Sequence, residues 1–141
     1  MKMTRLWVVV EVGIVAMLIA ACQTTPVIPE YDGANLYKGY CASCHGPSGA
    51  GDGPVASVLK PGMQDLRTIS ARNGGVFPQT VIDAIIDGSG MRPAHGSVGM
   101  PVWGRAFYMA ESAMGEEEPE KYAAARIRAL SDYLESIQVD R

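Results

Sequence analysis

Five consecutive residues, Cys41-Ala42-Ser43-Cys44-His45, constrain this chain more than any other feature of its sequence. Two thiols three residues apart at a helix end can form thioether bonds to the two vinyl groups of one porphyrin. The next residue then places an imidazole beneath the iron. The motif therefore predicts one covalently attached haem c, bound by Cys41, Cys44 and His45.

The amino terminus has the features of an export signal. Lys2 and Arg5 precede an apolar stretch that is interrupted only by Glu11 and ends at Ala21. Its uninterrupted part is shorter than the roughly 20 residues that a helix needs to span a bilayer. We therefore predict that residues 1–21 are a signal peptide rather than a permanent transmembrane anchor.

The signal ends in Leu18-Ile19-Ala20-Ala21-Cys22, which resembles the lipoprotein box of bacteria. This resemblance implies lipidation of Cys22 and membrane attachment. The alternative is an ordinary Ala-rich signal peptide that happens to end near a cysteine. Residues 22–30 then form the lipidated cysteine and a tether stiffened by two prolines, and residues 31–141 form the folded domain.

Three other uses of the cysteine pair compete with haem attachment. A redox-active dithiol requires a βαβ frame, and no strand-like alternation flanks the motif. A zinc site requires further ligands, of which only His95 and Cys22 remain. A structural disulfide is the third alternative, but thioether formation better explains two unpartnered cysteines in an oxidising compartment.

Length and charge narrow the possible functions further. A chain of 141 residues accommodates one globular domain and excludes a large multidomain enzyme. The 15 acidic residues outnumber the 12 basic ones, so the basic surface of a nucleic-acid-binding protein is absent.

The pattern of apolar residues predicts an all-α domain of about four or five short helices. Glycine and proline dominate residues 46–54 and are frequent in residues 88–104, and both ranges are expected to be long loops. Capping residues and apolar stripes predict helices over 32–40, 66–72, 78–87 and 119–138.

The sequence resembles the class I cytochromes c over residues 31–139. In that family a glycine and an aromatic residue stand eight and four positions before the first haem cysteine, as Gly33 and Tyr37 do here. The resemblance implies that they pack against the last helix, at Leu130, Tyr133 and Leu134. It also implies that the Gly53-Pro54 pair contributes a carbonyl that accepts the imidazole proton of His45, although the pair could be a simple turn.

The resemblance also implies a distal methionine on the iron. Met100 is followed by Pro101 in a Gly-flanked loop, as in the family's ligand loop. Met91 is the nearest rival, and His95 would instead give a bis-histidine haem of lower potential. Met109 and Met114 are expected to fill gaps in the core or at the surface.

Charged and aromatic side chains near these motifs could assist the haem. Trp103 could donate its indole N–H to a propionate, but packing is expected. Cations that could neutralise the haem propionates are Arg67, Arg72, Arg92 and Arg105, and the sequence does not choose among them.

These features together predict a lipid-anchored electron carrier with one haem. It relays single electrons between redox proteins at the outer side of a bacterial membrane, and it turns over no substrate. A haem-binding subunit of a respiratory or dehydrogenase complex is an alternative. A peroxidase-like or gas-binding haem protein is another, and it requires that Met100 does not ligate iron.

Overall fold

The computed structural model describes residues 28–59, 62–90 and 100–139. The predicted signal peptide, the lipidation site Cys22 and most of the tether lie outside the described residues. So do three candidates from the second glycine-rich loop, namely Met91, Arg92 and His95.

Within these ranges the chain forms helices and no strands, which confirms the all-α prediction. Two single turns of 3₁₀-helix, at Ala56–Val58 and Leu66–Thr68, accompany the α-helices. Two of the six α-helices are only four residues long, so the four longer ones build the domain. The α-helices are α1 (Gly33–Tyr40), α2 (Ala42–His45), α3 (Ile69–Arg72), α4 (Gln79–Asp87), α5 (Trp103–Met114) and α6 (Pro119–Ser136).

The predicted helix ends agree closely with the observed ones. Asp32 caps α1, because its carboxylate accepts a hydrogen bond from the Asn35 amide at 3.1 Å. Gly88 ends α4 in the left-handed conformation, with φ of 96°. Pro119 occupies the first turn of α6, where its missing N–H is not needed. Local chemistry therefore determines these boundaries.

Two features of the helices differ from the sequence prediction. The helix α5 was not predicted, and its first residues were assigned to the preceding loop. It buries Phe107 and Glu111, each of which is only 2% exposed. The sequence spacing predicts Val81 on one apolar face with Ile82, Ile85 and Ile86, but Val81 is half exposed in α4, whereas Ile86 is buried and Ile82 packs against the core.

The core lies where the first and last long helices cross, as the resemblance implied. A Cβ atom on Gly33 would lie 2.8 Å from the Ala129 carbonyl carbon and 3.0 Å from the Cβ of Tyr133, so only glycine allows this approach. Beside it the rings of Tyr37 and Tyr133 pack with centroids 5.1 Å apart. Leu130 and Leu134 are buried in the same cluster. The predicted packing of α1 on α6 is confirmed.

Polar contacts attach α6 to the middle of the chain. The buried Ser131 hydroxyl donates to the Asp83 carboxylate of α4 and accepts from the Gln79 amide at 2.5 Å. At the end of α6, the Gln138 amide donates to the Leu66 carbonyl oxygen at 2.9 Å. These bonds fix the central helices against the long helix that crosses α1.

Candidate functional site

The Cys-Ala-Ser-Cys-His motif forms one tight turn at the end of α1. Cys41 is both the C-cap of α1 and the N-cap of α2, and its amide donates to the Tyr37 carbonyl oxygen at 2.9 Å. The His45 amide donates in turn to the Cys41 carbonyl oxygen at 2.9 Å. Residues three and four positions apart on a helical turn share one face. The turn therefore places Cys44 and His45 on the same side as Cys41.

The chemical state of the two thiols is consistent with attachment to a cofactor. Cys41 and Cys44 are not joined in a disulfide. Burial, and to a lesser extent the neighbouring Cys44, raises the pKa of the Cys41 thiol to about 12. A redox-active dithiol requires a lowered pKa, because the thiolate is the nucleophile. The environment of Cys41 therefore argues against that alternative.

The glycine-rich loop after the motif folds back onto the motif's own backbone. The Gly51 amide donates to the His45 carbonyl oxygen at 2.8 Å, and the Val55 amide donates to the Ser43 carbonyl oxygen at 3.1 Å. A Cβ atom on Gly53 would lie 2.6 Å from the Cys44 carbonyl oxygen. The Gly53-Pro54 pair thus lies directly against the attachment turn, although the predicted bond from its carbonyl to the imidazole stays a prediction.

Tyr37 has a second role that the sequence analysis did not assign. Its hydroxyl donates to the carbonyl oxygen of Gly46 at 2.8 Å, and Gly46 directly follows the predicted ligand His45. The side chain is 2% exposed, and burial raises the pKa of its hydroxyl above the usual range. Tyr37 therefore links the crossing of α1 and α6 to the main chain that carries His45.

Met100 is half-buried and packs against the same core cluster as Cys41, although 58 residues separate them in the chain. Next to it, Trp103 stacks on Phe107 with centroids 5.8 Å apart and meets the edge of Tyr40 at 5.2 Å. The predicted packing role of Trp103 is confirmed by these contacts. The predicted rivals Met91 and His95 lie outside the described residues, so the structure does not compare them with Met100.

The candidate cations for the propionates are in different surroundings. The Arg67 guanidinium forms a bidentate pair with the Asp65 carboxylate, at 2.9 and 2.8 Å. Arg72 donates to the Asp65 main-chain oxygen at 2.9 Å, whereas Arg105 is exposed on α5. Arg92 lies outside the described residues. The choice among the four arginines stays open.

A buried ion pair lies beside the aromatic cluster of Tyr40, Trp103 and Phe107, and the sequence did not predict it. Glu111 of α5 accepts from the Arg126 guanidinium of α6 at 2.6 Å and from the Tyr31 hydroxyl at 3.2 Å. The guanidinium carbon lies 4.9 Å from the ring centroid of Tyr31 and 5.5 Å from that of Phe107. No local signal announces this pair, because its members lie on two helices and one of those helices was not predicted.

The residues present fit a covalently bound haem. The thiols of Cys41 and Cys44 and the imidazole of His45 share one turn, and Met100, which packs against the same core as Cys41, would supply a soft thioether ligand. The described ranges contain no group of three or more His, Cys, Asp or Glu that could bind a metal ion. When bound, haem c supplies a reversible one-electron couple at its iron.

In the described part of the chain, no helix combines the length and the apolar character needed to cross a bilayer.

Comparison with known proteins identifies the domain. The family described as cytochrome c oxidase, cbb3-type, subunit III matches residues 30–134. No curated protein and no solved structure matches the chain. The family match covers most of the chain and agrees with the all-α fold and the Cys-x-x-Cys-His turn. The chain therefore belongs to this family and is a c-type cytochrome domain with covalently bound haem c.

Proposed function

We propose that this protein is a membrane-anchored carrier with one haem, attached through Cys41 and Cys44 and ligated by His45 and Met100. It relays single electrons between redox proteins on the outer side of a bacterial membrane. Residues 1–21 act as the signal peptide, 22–30 as the lipidated tether and 31–141 as the carrier domain. The coarser part of this function, haem-binding electron transfer, follows from the family itself.

The observation that carries the proposal is the convergence of the attachment turn and Met100 on one core. Cys41 and Met100 both pack against the cluster formed by α1, α4, α5 and α6. A thioether stabilises ferrous iron and needs little rearrangement between oxidation states. A filled sixth position of this kind favours electron relay over ligand binding or peroxide turnover.

Replacement of Met100 by Ala tests the carrier assignment. The variant is expected to lose the sulfur-to-iron charge-transfer band of the ferric protein, to have a lower potential, and to bind carbon monoxide in the ferrous state. Met109→Ala is the matched control, because Met109 is 56% exposed on α5 and should leave all three properties unchanged.

Three results would change the assignment. A wild-type protein without the band that binds carbon monoxide rapidly would be a gas-binding or peroxidase-like protein. Loss of the sixth ligand in His95→Ala would make it a bis-histidine cytochrome, and loss in Met91→Ala would move the ligand to Met91. Mass spectrometry of the denatured protein should also find one haem still attached to Cys41 and Cys44. A haem-free chain would overturn the predicted attachment.

Attachment to the membrane is tested separately. A fatty-acid label should mark the wild-type chain, and Cys22→Ser should lose the label and be released from membranes. Retention of the unlabelled variant in the membrane would instead indicate an uncleaved anchor over residues 6–21.

The second candidate function is a haem subunit of a larger respiratory complex. The family description favours it, because that description names a subunit of a cytochrome oxidase. Purification from native membranes distinguishes the two candidates: partner chains in constant stoichiometry indicate a subunit, and a protein recovered alone indicates a carrier with transient partners.

A further inference from the structure

Two glycines, Gly88 and Gly104, lie at the contact between the end of α4 and the start of α5, the two helices that the segment carrying Met100 connects. The helix α4 ends at Asp87 and is followed by Gly88 with φ of 96°. The helix α5 begins at Trp103, after the cap residue Val102. The two ends of this connection belong to different helices that pack against each other, so the contact between them is tertiary.

The contact is closed by the Val102 side chain at Gly88 and by the side chain and main chain of Asp87 at Gly104. A Cβ atom on Gly88 would lie 2.7 and 3.1 Å from the two methyl carbons of Val102. A Cβ atom on the buried Gly104 would meet the Asp87 carboxylate and lie 2.8 Å from the Asp87 main-chain oxygen. A carboxylate can rotate away, but a main-chain oxygen at the end of a helix cannot. Any side chain at residue 104 must therefore push α5 away from α4.

We infer that Gly88 and Gly104 are positioning residues for the sixth ligand: they let α4 and α5 touch, and this contact sets where the Met100 sulfur is held. The inference rests on the proposed function, in which Met100 ligates the iron. It adds two residues that act on the ligand through the start of α5.

The short distance along the chain explains how the contact reaches the ligand. Only Pro101 and Val102 separate Met100 from the first residue of α5. The ring of Pro101 fixes its φ, so the connection has little freedom to absorb a displacement. Trp103, the first residue of α5, is also packed in the aromatic cluster. A shift of the start of α5 is therefore transmitted to Met100.

Gly104→Ala in the full-length haem-loaded protein tests this inference. The expected result is a weakened or absent charge-transfer band, together with carbon monoxide binding to the ferrous protein that is faster by about tenfold or more. Overpacking of a closed contact has an energetic cost equivalent to at least about one decade in an equilibrium constant. The band is measured well below the unfolding temperature, in a variant whose helix content equals that of the wild type. A merely structural role of Gly104 would lower the unfolding temperature and leave the band intact, which would overturn the inference.

Gly39→Ala is the matched control. Gly39 lies in α1, and a Cβ atom there would have no atom within 4 Å. This variant should keep both the band and the slow binding of carbon monoxide. Equal loss in Gly39→Ala and Gly104→Ala would show that any added methyl disturbs ligation, and the inference would fail.

Val102→Ala keeps the inference testable if Gly104→Ala does not fold. It removes the methyl carbons that lie against Gly88 without creating a clash, at a side chain that is 40% exposed. Carbon monoxide should bind this ferrous variant several-fold faster than the wild type, and an unchanged rate would overturn the inference.

Failure of the proposed function gives a different pattern. If Met100 is not the ligand, then Met100→Ala itself leaves the wild-type spectrum unchanged. If Met100→Ala abolishes the band while Gly104→Ala retains it, only the role of the glycines is wrong.

Discussion

Glu111→Gln is expected to destabilise the folded domain by about 3 kcal/mol, because it leaves a buried guanidinium without its carboxylate. Glu111 is 2% exposed and accepts from Arg126 at 2.6 Å. Glutamine keeps the shape of the side chain and one acceptor oxygen, so the change removes mainly the charge. The Nε of Arg126 finds no acceptor among the described residues, so this atom supplies no ion pair in place of the lost one.

The size of the effect follows from the surroundings of the pair. Loss of one partner of a buried ion pair costs about 3 to 5 kcal/mol. The lower end applies because the Arg126 side chain is 15% exposed and still lies over the rings of Tyr31 and Phe107. In a domain of this size, the unfolding temperature should fall by on the order of 10 to 20 °C.

Denaturant unfolding of the ferric protein, followed by circular dichroism, measures this effect. Glu117→Gln is the control, because Glu117 is exposed and its replacement should change the free energy of unfolding by less than about 0.5 kcal/mol. The double variant Glu111→Leu with Arg126→Met should recover most of the loss, since it leaves no buried charge. If Glu111→Gln unfolds like the wild type, the pair is effectively solvated and the reasoning is refuted.

Three further variants test the packing and the hydrogen bonds of α6 and α1. Gly33→Ala should lose at least about 2 kcal/mol of stability, because its methyl group would meet the Ala129 carbonyl, whereas Gly39→Ala in the same helix should lose none; thermal unfolding compares them. Ser131→Ala should lose about 1 to 2 kcal/mol in the same assay, because the fully buried hydroxyl bonds two side chains of α4. Burial raises the pKa of Tyr37 above its ordinary value of 10.0, so the stability that its protonated hydroxyl contributes is complete below pH 10 and is lost as the pH rises further. The free energy of unfolding of the wild type should therefore fall with pH more steeply than that of Tyr37→Phe, by up to about 1.4 kcal/mol per pH unit, and equal slopes in the two proteins would contradict the assignment.

Local patterns explain which helices the sequence predicted. The helices α1, α4 and α6 have capping residues at their ends and apolar residues at helical spacing, and each of these signals lies within one element. The helix α5 carries no such stripe, because Glu111 lies four residues after Phe107 and is buried on the same face. In the sequence, a carboxylate at residue 111 indicates a side chain that faces solvent, because its partner Arg126 lies on another helix. The helix α5 was therefore not predicted, because the buried charge of Glu111 interrupts its apolar pattern.

The candidate site shows the same difference between features set by a local sequence pattern and features set by contacts between distant elements. The attachment turn is a five-residue pattern, so its chemistry was predicted from sequence alone. The bond from Tyr37 to Gly46 and the contact of Gly104 with Asp87 depend on how distant elements pack. Their residues stand in the sequence as an ordinary aromatic and an ordinary glycine, and only the fold reveals what they touch.

The crossing of α1 and α6 joins the two ends of the domain, and this has a consequence for the order of events during biosynthesis. Gly33 and Ala129 are separated by roughly a hundred residues, and bringing such distant points together costs about 4 kcal/mol in chain entropy. The helix α1 therefore lacks the helix α6, on which it packs most extensively, until the last part of the chain has been made. During that time the thiols of Cys41 and Cys44, which follow α1 directly, lie in a segment that the native core does not yet enclose, so they are accessible for attachment of the haem.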